Sequence, residues 1–331
     1  VNEPVPTPPA TAAPPDQPRR SRRALVQRIL LAVLLAAAIW ALLRNRAALA
    51  DALHQMSPVA VALAFLPAVA SILVSMLSWR ELMADLGHRL PVRAAARIFY
   101  LSQLGKYLPG SVWSILTQIE LSRGHRIPKR SNITVGVLSI AVAVATGLSL
   151  AALLMPFSGA AAVHRYGWIV LLVPVLLGAL HPAVLGPALN RVLRLLRRQP
   201  LPRTPSWAGM SRVVGLQSAV WLLLGLQAWV LLLGLGAPPL RSLPVAVGGY
   251  ALSYALGQLA IGLPAGAGVR ETALTLVLST VVPPAQALVV ALLSRAVLTL
   301  VELGCAGVVY AIDVWPRRDR PAGRDGATPA P

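Results

Sequence analysis

The chain has 331 residues, of which 56% are hydrophobic and only 12% charged, with a formal net charge of +19 and a mean hydropathy of +0.68. The apolar excess excludes an ordinary soluble domain, and in a membrane chain such a charge reads as arginines meeting anionic lipid headgroups, with no nucleic acid expected as a partner. The one cysteine, Cys305, lies inside an apolar block, which excludes a disulfide framework and a cysteine-rich metal centre.

Residues 1–23 open the chain with "VNEPVPTPPATAAPPDQP" and a run of arginines, and read as a disordered cytoplasmic tail. The run "LVQRILLAVLLAAAIWALL" then predicts a first helix over 24–43. A cleavable leader ending at Ala48, Leu49 and Ala50 is the competing reading, but Arg44 and Arg46 lie before that site and favour a retained helix. Further apolar blocks predict helices over 58–79, 132–155, 167–188, 213–235 and 285–312. Each is near the ~20 residues needed to cross ~30 Å of hydrocarbon. The membrane domain is therefore expected over 24–313, with a second disordered cytoplasmic tail over 314–331.

The charges set the orientation. With the N-terminus in the cytoplasm, the arginine-rich connections fall at 80–97, 120–130, 189–212 and after 313, on one side. The connections 44–57, 156–166 and 236–244 hold only Arg44, Arg46, Arg165 and Arg241. This asymmetry places both termini in the cytoplasm. Within 189–203, "LNRVLRLLRRQPLPR" separates leucines and valine from Arg191, Arg194 and Arg198, as an amphipathic helix on an anionic leaflet would.

Two segments do not fit the spanning pattern. Residues 98–118, around "LGKYLPGSVW", have basic flanks on both sides, so the chain should enter and leave by the cytoplasmic face. Pro109 and Gly110 supply the break. Residues 245–283, around "GLPAGAGVRETAL", should mirror this from the outer face. At an offset of 155 the two share Leu101 with Leu256, Gln103 with Gln258, Leu104 with Leu259, Leu108 with Leu263 and Pro109 with Pro264. The expected fold is an all-α integral membrane protein with about six spanning helices plus two broken re-entrant hairpins in an inverted repeat, its site lying between the breaks.

Placing the charges leaves Lys106, Arg270, Arg295, Glu271 and Glu302 at membrane depth, with Glu120 near the interface. A charge at a helix centre costs about 2.5–3.5 kcal/mol on insertion scales, so such residues mark function by default. Arg295 and Glu302 lie two turns apart on one helix face, with Thr299 between them. Arg270 and Glu271 open the helix after "PAGAG", where free N–H groups favour an anion. Lys106, Pro109, Gly110, Arg270, Glu271, Arg295 and Glu302 are thus the candidate substrate-binding residues. The structural alternative pairs Arg270 with Glu302 and Glu271 with Arg295 merely to hold helices together, with Lys106 reaching to the cytoplasmic face. Tyr100, Tyr107, Trp113, Tyr250 and Tyr254 either line a headgroup path or anchor the chain at the interfaces.

No G-x-x-x-x-G-K-[ST] loop, G-x-S-x-G elbow or metal-spaced histidine pair occurs, so neither catalysis nor a cofactor is expected. The segments "LGKYLPGSVWSILTQIEL" and "GLPAGAGVRETAL", with "SWRELMADLG" after the second helix, resemble the lysylphosphatidylglycerol synthase transmembrane-region family, the membrane part of MprF-type proteins. Arg270 and Glu271 match that family's Arg-Glu after the glycine turn, and Pro109 and Gly110 its Pro-Gly. The resemblance, over roughly 24–313, implies a bacterial plasma-membrane protein with a flippase-like, lipid-translocating role. It ends without the soluble aminoacyl-transfer domain, so aminoacylation is not implied. The expected substrate is a membrane phospholipid or lipid-linked molecule with an anionic or zwitterionic headgroup. The alternative is a non-transporting scaffold or accessory subunit whose partner is an envelope-biosynthesis enzyme.

Overall fold

The computed structural model describes residues 46–107, 113–125, 127–158, 167–195, 204–260, 263 and 266–318. The expected first helix at 24–43, most of both tails, and the breaks at Pro109, Gly110 and Pro264 lie outside the described residues. Among the described residues there are helices and turns but no strands.

Prolines begin most of the helices. A short α1, Arg46–Gln55, precedes α2, Pro58–Asp85, in which Ser57 caps the Ala60 N–H and Pro58 occupies the first turn. Pro91 precedes α3, Val92–Gln103, which runs into a 3-10 turn at Leu104–Tyr107. Next come α4, Trp113–Ser122, and, after Pro128, α5, Lys129–Leu154. Two short helices follow, α6, Leu172–Ala179, and α7, Pro182–Leu195. The remaining helices are α8, Trp207–Leu233, α9, Pro239–Leu259, α10, Val269–Leu278, and α11, Pro284–Arg318.

Four of these helices (α2, α5, α8 and α11) are long and apolar enough to cross a membrane. They correspond to the blocks expected at 58–79, 132–155, 213–235 and 285–312. The block at 167–188 is not one straight helix as expected. It bends by 68° between Ala179 and Pro182. Proline disfavours helical geometry at the residue before it, and Leu180 and His181 close the turn by donating to Leu177 O and Gly178 O. Counted as one bent span, this pair brings the total to five. On α7, Arg191 and Arg194 are exposed. The last helix continues to Arg318, past the boundary expected at 313.

The helices α2 to α5 follow the order long, short, short, long, whereas in α8 to α11 only α10 is short. In the first set, α3 has 12 residues and α4 has 10, or roughly 18 and 15 Å, about half the hydrocarbon thickness. In the second, α10 also has 10 residues, but α9 has 21 and begins at Pro239, earlier than the 245 expected. The cause is local, since Pro238 and Pro239 start the helix and Trp229 Nε1 fixes that end by donating to Pro239 O. The pairs α3–α4 and α9–α10 each fold back on themselves. A Cβ at Gly105 would meet Ser114 N at 2.6 Å, so the first pair closes backbone to backbone. In the second, Gly249 faces Val277 and Gly257 faces Arg270, the pairing of antiparallel neighbours.

The first helices of the two sets, α2 and α8, form the most extensive helix contact and run antiparallel. At one end Asp85 accepts from Ser206 N (2.7 Å) and from Ser206 Oγ (2.5 Å), while at the other Gly234 lies against Ala60 and Met56. The remaining packing also repeats: α2 meets α11 as α8 meets α5, and α3 meets α11 as α9 meets α5. Ser206 caps α8 through the Gly209 N–H at 3.0 Å while holding Asp85. Ser206→Ala should therefore lower thermal stability by about 1 kcal/mol or somewhat more, measured as a shift in unfolding midpoint in detergent.

Candidate functional site

The 3-10 turn after α3 and the start of α10 both meet α11. Lys106 and Tyr107 sit on the 3-10 turn that ends α3, and both reach Glu302. Lys106 Nζ donates to Glu302 Oε1 at 2.5 Å, and the Tyr107 hydroxyl donates to Oε2 at 2.5 Å. Tyr107 also lies 3.3 Å from Thr299 Oγ1, so Thr299 and Glu302 do share the face expected of them. Glu302 is buried, 4% exposed, and both its oxygens are taken.

Arg295, two turns earlier on that helix, donates to Glu271 Oε1. The other Glu271 oxygen accepts the Gly268 N–H at 2.6 Å and caps α10. The glycines of "PAGAG" have two separate jobs here. Gly268 has φ +86° and Gly266 φ +66°, in the left-handed region that side chains resist. Gly266 also touches Gly257, where an added Cβ would lie 2.8 Å from Gly257 Cα.

Arg270 follows a different course. Its guanidinium lies 4.2 Å from the centre of the Tyr254 ring and donates to Tyr250 Oη at 2.5 Å. Among the described residues it has no carboxylate partner. The expected Arg270–Glu302 pair is thus not formed, because the 3-10 turn delivers Lys106 to Glu302 first. The Glu271–Arg295 pair is formed. Lys106 does not run out to a surface; its side chain is 21% exposed and is held by Glu302. Glu120 pairs with Arg123 at 2.9 Å, both well exposed and away from this cluster.

Lys106, Arg270 and Glu302 line one cavity of about 600 Å³. Both folded-back helix pairs contribute to its wall, and Gln103 and Gln258, the matched glutamines of the two segments, both line it. Of the aromatics, Tyr254 lines the cavity and Tyr250 is fully buried behind Arg270, whereas Trp113 is exposed. Several lining residues escaped the sequence reading. Ser71, Ser75 and Ser78 on α2 face the cavity, and their spacing of four and three is a helical stripe visible in the sequence. Buried Gln227, which donates to Ser294 O (3.0 Å) and accepts from Ser294 Oγ (2.9 Å), was also missed; it joins α8 to α11 beside the cluster.

Fold and site together define a multi-pass helical membrane protein with a charged cavity where two interrupted segments converge. The sequence profile of a family described as "Lysylphosphatidylglycerol synthase TM region" matches residues 29–304, most of the chain, and the protein belongs to that family. No curated protein matches the chain.

Proposed function

We propose that this protein moves a phospholipid or lipid-linked molecule across a bacterial plasma membrane, holding the headgroup between its two folded-back pairs. The observation that carries the reading is Arg270: a guanidinium without a carboxylate partner among the described residues, in a cavity walled by both pairs. Lys106 and Arg295 are matched by Glu302 and Glu271, so the described cluster has one positive charge left over. An anionic headgroup neutralises it. The repeated packing of the two sets and the antiparallel α2–α8 contact support an inverted repeat with two re-entrant hairpins. The arginine asymmetry supports cytoplasmic termini, with α7 on the anionic inner leaflet. Movement would come from rocking one set of helices against the other, without covalent chemistry on the lipid.

A second reading keeps the same fold without transport. The ion pairs from Glu302 and Glu271 tie both folded-back pairs to α11, as a scaffold for an envelope-biosynthesis enzyme would require. Extraction in native lipid particles followed by lipid mass spectrometry separates the two. One lipid class enriched with the wild type and reduced at least about tenfold in Arg270→Ala is expected, the scale of one lost charge-assisted hydrogen bond. The same bulk lipids in both preparations would remove the transport reading and favour the scaffold.

A further inference from the structure

The cavity lies toward one end of the bundle. Its wall on α2 runs from Ser71 to Trp79, on α5 from Gly136 to Ala143 and on α8 from Val213 to Leu224. These stretches lie toward the end where Asp85 accepts from Ser206 and His88 Nε2 lies 2.9 Å from Ser131 Oγ. That end also carries Arg89, Arg130 and Arg212.

Beyond this wall the helices close. Trp221, 1% exposed, donates from Nε1 to Thr146 Oγ1 at 2.9 Å and meets the Tyr254 ring edge to face, with centroids 4.9 Å apart. One side chain thus joins α8 to both α5 and α9. Past Trp221, glycines bring the backbones together. A Cβ at Gly225 would lie 2.4 Å from Val247 Cα, and one at Gly147 would lie 3.0 Å from Ala251 O. Around this seam Ala228, Leu231, Leu232, Val245, Ala246 and Ala251 are all 0% exposed. Helices packed this closely on small residues leave no room for a headgroup to pass between them.

The arginine-bearing end is packed more loosely. At the offset of 155, Val247 corresponds to Val92, the first residue of α3. Val247 is 4% exposed and Val92 54%. The two turns of α9 before Val247 have no helical counterpart before α3. Accordingly α9 packs far more extensively on α5 and α8 than α3 does on their counterparts, α11 and α2. In an inverted repeat such a difference between the two halves distinguishes the closed side from the open one.

We infer that this is the form whose cavity opens to the arginine-bearing end, and that the seam of α9 against α5 and α8, latched by Trp221, is the seal that parts to open the opposite end. This deepens the transport reading and rests on its premise that the cavity reaches both faces in turn. Parting the seam separates Trp221 from Thr146 or Tyr254 and moves α9 with Tyr250 and Tyr254, the two rings that hold Arg270. The seal and the cavity's unmatched cation therefore move together.

Cysteine labelling with a membrane-impermeant maleimide, in membrane vesicles of both orientations, tests it. Cys305→Ala removes the one cysteine, and Ser211→Cys, at an exposed position near the start of α8, marks the arginine-bearing face. Gln217→Cys, on the cavity wall, should react at least about tenfold faster from that face than from the other, because the oppositely open form is the minor one. Equal rates, or the reverse order, overturn the open end assigned here. Adding Gly225→Ala should raise the slow rate at least about fivefold, since its methyl meets backbone that cannot rotate aside. Gly215→Ala, on the same helix with nothing within 4 Å of its methyl, should leave that rate unchanged. If Gly225→Ala does not fold, Trp221→Phe, which keeps a ring and loses the bond to Thr146, takes its place. A slow rate that the folded variant leaves unchanged overturns the seal. No lipid substrate enters the labelling, so its failure leaves the headgroup reading to the lipid mass spectrometry. The expected labelling, with the same bulk lipids in wild type and Arg270→Ala, would instead remove transport and leave the seal standing.

Discussion

Glu302→Gln should lower stability by about 3 kcal/mol and abolish translocation, and Lys106→Met in the same chain should restore the stability but not the activity. The magnitude follows from removing one partner of a buried ion pair, which costs roughly 3–5 kcal/mol because the other charge stays behind. Lys106 keeps some access to the cavity, at 21% exposure, which puts the loss near the lower end. Glutamine still accepts from the Tyr107 hydroxyl, so the damage is confined to the lysine. Replacing both partners removes the stranded charge, and such apolar replacements are often neutral or stabilising, so the double variant should return to within about 1 kcal/mol of the wild type. Unfolding in detergent measures the first effect and lipid movement in proteoliposomes the second. A double variant that moves lipid at the wild-type rate would show that the pair only holds α11 against the 3-10 turn. A double variant that is stable and inactive gives Glu302 a role in transport beyond holding the fold.

Gly105→Ala should cost nearly as much, about 3 kcal/mol, the upper end of the range for overpacking. The reason is the character of the obstacle. The new methyl would lie 2.6 Å from Ser114 N, 2.7 Å from Trp113 C and 2.8 Å from Ser114 Cα, all backbone atoms of the returning helix. None of these can rotate aside, so α3 and α4 must part. Lys106 and Tyr107 follow directly on Gly105, and prying the pair apart draws both from Glu302. The effect should therefore be non-additive: Glu302→Gln introduced into Gly105→Ala should cost clearly less than in the wild type. Gly124→Ala is the matched control, because nothing lies within 4 Å of its added methyl and its φ is not positive. Its unfolding midpoint should stay at the wild-type value. Full additivity of Gly105→Ala and Glu302→Gln would mean that the ion pair survives the opening of the first pair.

Much of this protein is determined locally. Twenty-odd apolar residues in a row commit a segment to a bilayer whatever its neighbours do, and α2, α5, α8 and α11 appear where such runs predict them. Prolines and glycines also act on their own backbone, and α3, α4 and α10 are short where the sequence predicts broken segments, while α9 runs for 21 residues. The cost of burying Lys106, Arg270, Glu271, Arg295 and Glu302 is likewise a property of each side chain, and it singled them out before any contact was known.

Which of those charges meet was decided by packing. Lys106 and Glu302 are 196 positions apart in sequence, and their pairing depends on how the 3-10 turn docks against α11. With three cations and two carboxylates, charge alone allowed Arg270 to take Glu302 equally well. The same holds for the wall of the cavity. A serine stripe on α2 is compatible with any polar neighbour, and only packing brings it to the same cavity as Gln118 and Gln258. Local rules state the penalty for a buried charge, and the tertiary structure alone settles which one lacks an opposite charge: among the described residues it is Arg270, which is held by Tyr250 and Tyr254 instead.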